Sequence, residues 1–291
     1  MSLQLLTTAN EFARACHESR LAGSTLGLVP TMGALHWGHA ALMHEAKRLS
    51  SCVAVTIFVN PTQFGPSEDF SRYPRPLERD RECCEAAGVS LLFVPSTQEM
   101  YPAGESTRVS VSGLTEGLCG ASRPKHFDGV ATIVTKLFVL SGTCTAIFGK
   151  KDYQQYKVIE RLVKDLLLPV KVVAHPIVRD ADGLALSSRN AYLSTGERAR
   201  AVGIVRGLSS AYRAHKAGER RVEFLIQRVT EELGAHSLDA QYASLVDADS
   251  LELLNSDAKC PERALIAVAA FCGKTRLIDN IVLGEDTDPL G

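Results

Sequence analysis

Short apolar runs alternate with segments of helical periodicity along about the first 175 residues of the chain. Four runs are almost continuously apolar and predict strands: LGLVP (26–30), CVAVTIFV (52–59), VSLLFVP (89–95) and CTAIFG (144–149). Strands that are buried on both faces of a parallel sheet have this unbroken apolar character. Helices are predicted where apolar residues recur at a spacing of three and four, over 42–49, 77–87, 129–141 and 153–167. The alternation of strand and helix predicts an α/β fold with a doubly wound parallel sheet.

The pattern changes between residues 177 and 190. STGE at 194–197 has the capping-box pattern that opens a helix, and a second helical segment covers about 220–234. Three strand-like segments follow, AQYASLV, RALIAVAAF and TRLIDNIVL, and predict a small antiparallel or mixed sheet. We therefore predict two domains: residues 1–177, and a smaller C-terminal α+β domain of residues 178–291.

Composition and charge exclude several classes of protein. The chain has 291 residues, of which 45% are hydrophobic and 22% charged, and its net charge of -1 gives no electrostatic case for nucleic acid or an anionic membrane as partner. No apolar run approaches the roughly 20 residues needed to span a bilayer. The N-terminal segment lacks a basic region and has an early acidic residue, so no signal peptide is expected.

Cysteine usage indicates a reducing compartment. The eight cysteines are scattered through a chain that is too long to need disulfides for its stability. None forms a C-x-x-C pair, so neither a zinc ribbon nor a redox site is indicated. We expect reduced thiols and a cytoplasmic protein.

The segment HWGH at 36–39 places two histidines three residues apart where the first strand gives way to a helix. Residues 33–38 spell G-x-x-x-x-G, but His39 stands where a phosphate-binding P-loop needs lysine, and G-x-G-x-x-G is absent as well. A zinc site would need at least one further ligand, and no neighbouring spacing supplies it. Two histidines buried in a core are the plain alternative.

Phosphate chemistry explains the HWGH segment better. The N-terminus of a helix attracts anions, and imidazoles at positions i and i+3 project from one side of it. Ligands of open α/β sheets bind at the carboxyl ends of the strands, which is where this segment lies. His36 and His39 are therefore predicted to contact a phosphate, and Gly38 leaves room for a nucleotide base.

Six ordered blocks between residues 30 and 190 carry a resemblance to a known family. They are PTMGALHWGH, FVNPTQF, YPR, RPKHFDGVATIV, FGKKDYQQ and LSSRN. Together they resemble the pantoate–β-alanine ligases, a family of the nucleotidylyltransferase-like group with HIGH-type motifs. The resemblance implies a Rossmann-like domain, a smaller C-terminal domain that acts as a lid, and a homodimer. It also implies that ATP activates pantoate as an adenylate, with release of pyrophosphate, and that β-alanine then displaces AMP.

The same resemblance assigns roles to individual residues. It implies catalytic roles for His36, His39, Lys151, Ser187, Ser188 and Arg189. It implies an ATP site lined by Pro30, Met32, Gly33, Ala34, Leu35, His36, Trp37, Gly38, His39, Gly149, Lys150, Lys151, Asp152, Val178, Leu186, Ser187, Ser188 and Arg189. From the residues alone, the Lys151–Asp152 pair also fits an exposed helix start, and LSSRN also fits an ordinary polar loop.

Pantoate and β-alanine would be held by a second set of residues. The resemblance implies Gln63 and Gln155 as ligands of pantoate, with Asn60, Tyr73 and Arg123 as weaker candidates that support those ligands or contact β-alanine. Lys125 replaces the glycine that is usual in RPGHF, which leaves the conformation of that loop open. Magnesium is expected to enter with ATP. A single helical carboxylate such as Asp80 is usually just a solvated charge, so no metal ligand is assigned.

Two other functions remain compatible with the sequence. A nucleotidylyltransferase of different specificity would leave the nucleotide on its product and release no free AMP. A nucleotide-binding regulator would retain the fold without turnover. The histidine pair, Lys151, Arg189 and the two glutamines argue against an inactive site.

Overall fold

The computed structural model describes residues 3–66 and 68–291, which form two compact units. The first unit comprises residues up to 112, 123–150 and 155–176, and the second comprises 113–122, 151–154 and 177–291. The α-helices are α1 (Ala9–Leu21), α2 (Trp37–Leu49), α3 (Leu77–Ala86), α4 (Thr97–Met100), α5 (Leu118–Ser122), α6 (His126–Ser141), α7 (Tyr153–Asp165), α8 (Thr195–Ala201), α9 (Gly203–Lys216) and α10 (Val222–Ala235). Short 3₁₀ helices cover Pro61–Gln63, Phe70–Arg72, Lys150–Asp152 and Ser188–Tyr192.

A six-stranded parallel sheet forms the centre of the first unit. Its strands are β1 (Gln4–Leu6), β2 (Leu26–Thr31), β3 (Cys52–Ile57), β4 (Leu91–Phe93), β5 (Cys144–Gly149) and β6 (Val170–His175). They lie in the order β1-β4-β3-β2-β5-β6, and each neighbouring pair is parallel. The predicted doubly wound α/β sheet is confirmed. Since the strand order reverses at β2, the carboxyl ends of β2 and β5 form the edge where such sheets bind ligands.

Pro30 separates β2 from β5 at that edge. Strand β2 pairs with β3 over its whole length, from Leu26 to Thr31, but with β5 only at Gly27 and Leu28. Proline has no N–H to donate, so it ends a ladder on one side of a central strand. The ladder between β2 and β5 therefore stops at Leu28, before the HWGH segment.

The helices of the first unit cover the sheet with apolar faces. Ala40, Met43 and Ala46 are the buried residues of α2, as the helical spacing of the sequence predicts. Phe12 of α1 stacks on Phe93 of β4 with ring centroids 4.5 Å apart. Helices α2 and α1 therefore both pack on the sheet through apolar side chains.

The second unit is built on a three-stranded antiparallel sheet. Strands β7 (Asp239–Asp247), β8 (Ala264–Cys272) and β9 (Thr275–Leu283) pair in sequence order, which confirms the small α+β domain. Its core combines residues of α9, α10 and the sheet, including Leu208, Leu225 and Val268. The STGE pattern does open a helix, because Ser194 and Glu197 form a capping box at α8.

Two short segments that precede residue 177 in the chain belong to this second unit. The Gln154 amide donates to the carbonyls of Leu114 and Gly117, both at 2.9 Å, and accepts from the Cys119 N–H at 3.0 Å. A single boundary at residue 177 leaves these segments with the first part of the chain, whereas their contacts place them with the second unit.

None of the helices in residues 3–66 and 68–291 combines the length and apolar character that a membrane crossing requires.

Candidate active site

The two histidines of HWGH share the first turn of α2. His36 is the N-cap residue, and its Nδ1 accepts from the Gly38 N–H at 3.1 Å. His39 Nδ1 accepts from the His36 N–H at 3.3 Å, and the ring centroids are 4.1 Å apart. A nitrogen that accepts a hydrogen bond carries no proton, so each neutral ring holds its proton on Nε2. The turn therefore supplies two Nε2–H donors side by side.

The segment between β2 and α2, residues 32–36, is a tight loop that we call the HWGH loop. The hydroxyl of Thr31 accepts from the Gly33 N–H at 3.2 Å and donates to the Thr56 carbonyl at 2.7 Å. Gly33 and Ala34 both have positive φ angles, +83° and +52°. Trp37, which follows His36, is 79% exposed.

Asn60, predicted as a substrate contact, is almost wholly buried at 1% exposure. Its Nδ2 donates to the Gly129 carbonyl at 3.1 Å and to Gln63 Oε1 at 3.0 Å. Its Oδ1 accepts from the Tyr101 hydroxyl at 2.8 Å and from Thr62. Because a carbonyl only accepts and an N–H only donates, main-chain groups decide which way the Asn60 amide points.

The orientation of Asn60 in turn decides that of Gln63. Since Gln63 Oε1 accepts from Asn60, Gln63 Nε2 points the other way, toward Met32 Sδ at 3.1 Å. A thioether is a weak acceptor. The contact with Met32 joins the HWGH loop to Asn60, Gln63 and Tyr101, which we call the Gln63 cluster. Sequence reasoning missed Tyr101, because nothing near it in the sequence marks it as a partner of Asn60.

Arg123 lies beside the main chain of Gln63. It forms a bidentate ion pair with Glu68, at 2.7 and 2.6 Å, and its Nη2 reaches the Gln63 carbonyl at 3.3 Å. Burial opposes ionisation of Glu68, but the Arg123 guanidinium outweighs it and holds the pKa of that carboxyl below its usual value. Tyr73 is buried, with its ring 6.0 Å from that of Phe64. Gln155 is half-buried at the start of α7.

The predicted phosphate-binding residues of the second unit lie on two segments. Lys151 and Asp152 are in the 3₁₀ turn after β5, with Nζ and Oδ2 3.8 Å apart, and the Lys151 side chain is only 19% exposed. Ser187 caps the 3₁₀ helix Ser188–Tyr192 by accepting from the Arg189 N–H at 3.3 Å.

Two successive residues of β9 anchor these segments. Asn280 Nδ2 donates to the Lys151 carbonyl at 2.9 Å. Asp279 forms a buried ion pair with Arg179 at 2.6 Å, and next to Arg179 the Val178 carbonyl accepts from the Leu186 N–H at 3.0 Å. Sequence reasoning missed both anchors, which lie about a hundred or more residues further along the chain.

The predicted site residues therefore form two groups. The first unit brings together the HWGH loop and the Gln63 cluster, with Pro30 before the loop and with Gly149 and Lys150 at the end of the neighbouring strand β5. The second unit holds Lys151, Asp152, Val178 and the segment 186–189.

Comparison with known proteins gives one consistent result. Residues 4–282 match the model of the family described as pantoate-beta-alanine ligase. The chain is 49% identical over 282 residues to the pantothenate synthetase of Moorella thermoacetica, covering 97% of this chain and 99% of that protein. It is 52% identical over 268 residues to the pantothenate synthetase of Myxococcus xanthus, covering 92% and 91%.

Solved structures of similar fold match this chain over almost its whole length. A pantothenate synthetase from Thermus thermophilus superposes with a TM-score of 0.90 at 45% identity, covering 96% of this chain and 99% of that one. A pantoate-beta-alanine ligase from Francisella tularensis, complexed with beta-gamma ATP and beta-alanine, gives 0.78 at 32% identity, covering 99% and 100%. The chain belongs to the pantoate-beta-alanine ligase family.

Proposed function

We infer that the protein condenses pantoate with β-alanine to form pantothenate, with ATP as the activating substrate. The observation that carries this inference is the imidazole pair of His36 and His39, whose Nδ1 atoms are both engaged within the turn. The pair stands where strand order reverses in a parallel sheet, which is the ligand-binding edge of this architecture.

The reaction has two balanced steps. A carboxylate oxygen of pantoate attacks the α-phosphorus of ATP, the bond to the β-phosphate oxygen breaks, and pantoyl adenylate and pyrophosphate form. The amine of β-alanine then attacks the acyl carbon, the bond from that carbon to the AMP oxygen breaks, and the amine loses a proton. In-line displacement at phosphorus needs little covalent help, so positioning and stabilisation of charge supply most of the catalysis.

Donors with fixed positions are the groups that this chemistry requires. We assign to the Nε2–H groups of His36 and His39 the stabilisation of negative charge that grows on the transferring phosphate. Lys151 would neutralise phosphate charge, and Asp152 would accept from the ribose hydroxyls. The guanidinium of Arg189, with the hydroxyls of Ser187 and Ser188, suits phosphate oxygens.

Pantoate recognition is assigned to Gln63 and Gln155. The Gln63 amide offers its N–H donors, because Asn60 already donates to its oxygen. A carboxylate or hydroxyl oxygen of pantoate is the matching acceptor. Asn60 then orients the side chain of Gln63. Arg123 holds the main chain of Gln63 through its carbonyl. Tyr73, buried against Phe64, stays a weaker candidate for a substrate contact.

Magnesium is proposed to enter on the phosphates of ATP. Within residues 3–66 and 68–291, no group of three or more His, Cys, Asp or Glu side chains is arranged to hold a metal ion. Mg²⁺ in such sites usually keeps waters and phosphate oxygens as its ligands. We assign no protein side chain to it and no step to the ion.

We also propose that the protein works as a homodimer in the cytoplasm, with residues 178–291 acting as a lid. Support for the dimer and the lid comes from the family resemblance, and support for the compartment comes from the free state of all eight cysteines. Light scattering at several protein concentrations tests the dimer.

The activity itself is tested by incubation with ATP, pantoate and β-alanine, which should yield AMP and pantothenate in equal amounts. Labelled pyrophosphate should exchange into ATP when pantoate is present and β-alanine is absent. Exchange that ignores pantoate would identify a nucleotidylyltransferase of another specificity, and no exchange at all would identify a regulator. Pantoate-dependent exchange without formation of AMP on addition of β-alanine would mean that the amine is misassigned.

A further inference from the structure

Asp80 of α3 is a buried carboxylate that contacts the HWGH loop. Its Oδ2 accepts from the Ala34 N–H at 2.8 Å, and its Oδ1 accepts from the Leu35 N–H at 2.7 Å. The residue is 1% exposed. Both oxygens thus bind main-chain groups of the loop that leads directly into His36.

The loop fits this carboxylate closely. A Cβ on Gly33 would lie 2.9 Å from Asp80 Oδ2 and 2.9 Å from Ile57 Cγ2, and the φ angle of +83° is one that side chains rarely adopt. Ala34 has a φ angle of +52°, a conformation that a residue with a side chain holds only when its surroundings stabilise it. The two Asp80 hydrogen bonds are such a stabilisation.

Only an ionised carboxylate can make both contacts. Two parallel N–H donors need two acceptor oxygens on one group, whereas an amide offers one oxygen and would turn its NH₂ against the second donor. Among the described residues no Lys or Arg forms a salt bridge with Asp80, and its charge is stabilised by the two N–H groups, the nearby Arg79 and the N-terminus of α3. Burial raises the pKa of Asp80, and the N–H groups of Leu35 and Ala34 oppose that rise.

We propose that Asp80 is a positioning residue that holds the main chain of Ala34 and Leu35, and so sets where His36 and His39 present their Nε2–H groups. The proposal rests on the function inferred above. Asp80 would act through the loop and would touch neither ATP nor magnesium. A displacement of about 1 Å at catalytic groups costs up to about 10²-fold in rate, so the loop contact should matter for turnover.

The test is Asp80→Asn, with Glu78→Gln as matched control. Glu78 is exposed in the same turn of α3 and undergoes the same chemical change. Asp80→Asn should lower the rate of pantoate-dependent pyrophosphate exchange by about 10- to 100-fold, with a much smaller change in the KM for ATP. Glu78→Gln should exchange like the unaltered protein.

Three results would overturn the proposal. One is a rate of pyrophosphate exchange, per folded molecule of Asp80→Asn, that equals the rate of the unaltered protein. Another is a proportional rise in the KM for ATP with turnover unchanged. The third is recovery of the lost rate at raised Mg²⁺, which would make Asp80 a metal ligand.

Hydrogen exchange in the unaltered protein provides an independent readout if Asp80→Asn does not fold. The amides of residues 34 and 35 should be protected as strongly as those of β2, although they lie in a loop. Rapid exchange at both would overturn the proposal. If the unaltered protein shows no pantoate-dependent pyrophosphate exchange, the proposed function fails instead, while the amide protection still decides whether Asp80 holds the loop.

Discussion

His36 and His39 each have a structural role in the first turn of α2 and, in the proposed function, a chemical role as well. Nδ1 of each ring accepts a main-chain N–H within the first turn of α2, which places the proton of each neutral ring on Nε2. Replacing either residue by Ala should lower turnover by roughly 10²–10³, the usual cost of one preorganised donor, with a much smaller effect on ATP affinity. His36→Asn sharpens the test, because Asn caps helices well but has no Nε2. His44→Ala, a change of the same type at an exposed site of α2, is the control. If the His36 and His39 variants lose stability in proportion to their loss of activity, the two histidines are core residues and not catalytic ones.

Lys125 adopts a conformation that suits glycine. Its φ and ψ angles are 65° and 1°, the left-handed region, so the loop keeps the shape that glycine would give it. A side chain there costs about 1–2 kcal/mol, and glycine gives back roughly half of that in unfolded-state entropy. Lys125→Gly should therefore raise the free energy of unfolding by about 0.5–1 kcal/mol. Denaturant titration measures this free energy of unfolding. A Lys125→Gly variant that is less stable than the unaltered protein would contradict the prediction.

At the scale of elements, the apolar pattern predicted the inner strands β2 to β5 and missed the edges of the sheet. Strand β3 is buried at all six positions, which an unbroken apolar run records directly. Edge strand β1 has only three residues, and edge strand β6 is fully buried only at Val170. A strand that is half covered lacks the continuous apolar run, so its sequence resembles a loop.

A buried histidine, His215, lies in the last turn of α9. His215 is 4% exposed, and neither ring nitrogen has a hydrogen-bond partner among the described residues. Burial lowers its pKa, with Arg220 and Lys216 adding to the effect. Because the unfolded state binds the proton more readily, stability should fall as the pH drops below about 6.5. His215→Leu should flatten that part of the curve. Urea titrations at pH 5 and pH 7.5 test it, and an equal pH dependence in both proteins would contradict it.

Across the whole molecule, thiol burial predicts a two-stage reactivity. All eight cysteines are free, and only Cys83 and Cys119 are more than slightly exposed. Burial raises the pKa of Cys16 and of Cys84 to about 12, so neither offers a thiolate near neutral pH. A thiol reagent should modify at most Cys83 and Cys119 rapidly in the folded protein and all eight after denaturation. Fewer than eight in denaturant would reveal a disulfide.

The sequence by itself determined the α/β architecture, the family and the position of HWGH after a central strand, because those features depend on residues close together in the chain. Tertiary structure decided the rest. The Gln63 amide is oriented through Asn60, whose own partners lie 41 and 69 residues away, at Tyr101 and Gly129. The loop before His36 is held by Asp80, 45 and 46 residues from the groups that it binds. Such contacts leave no local pattern, because the partners meet only after the sheet has brought distant segments to one edge.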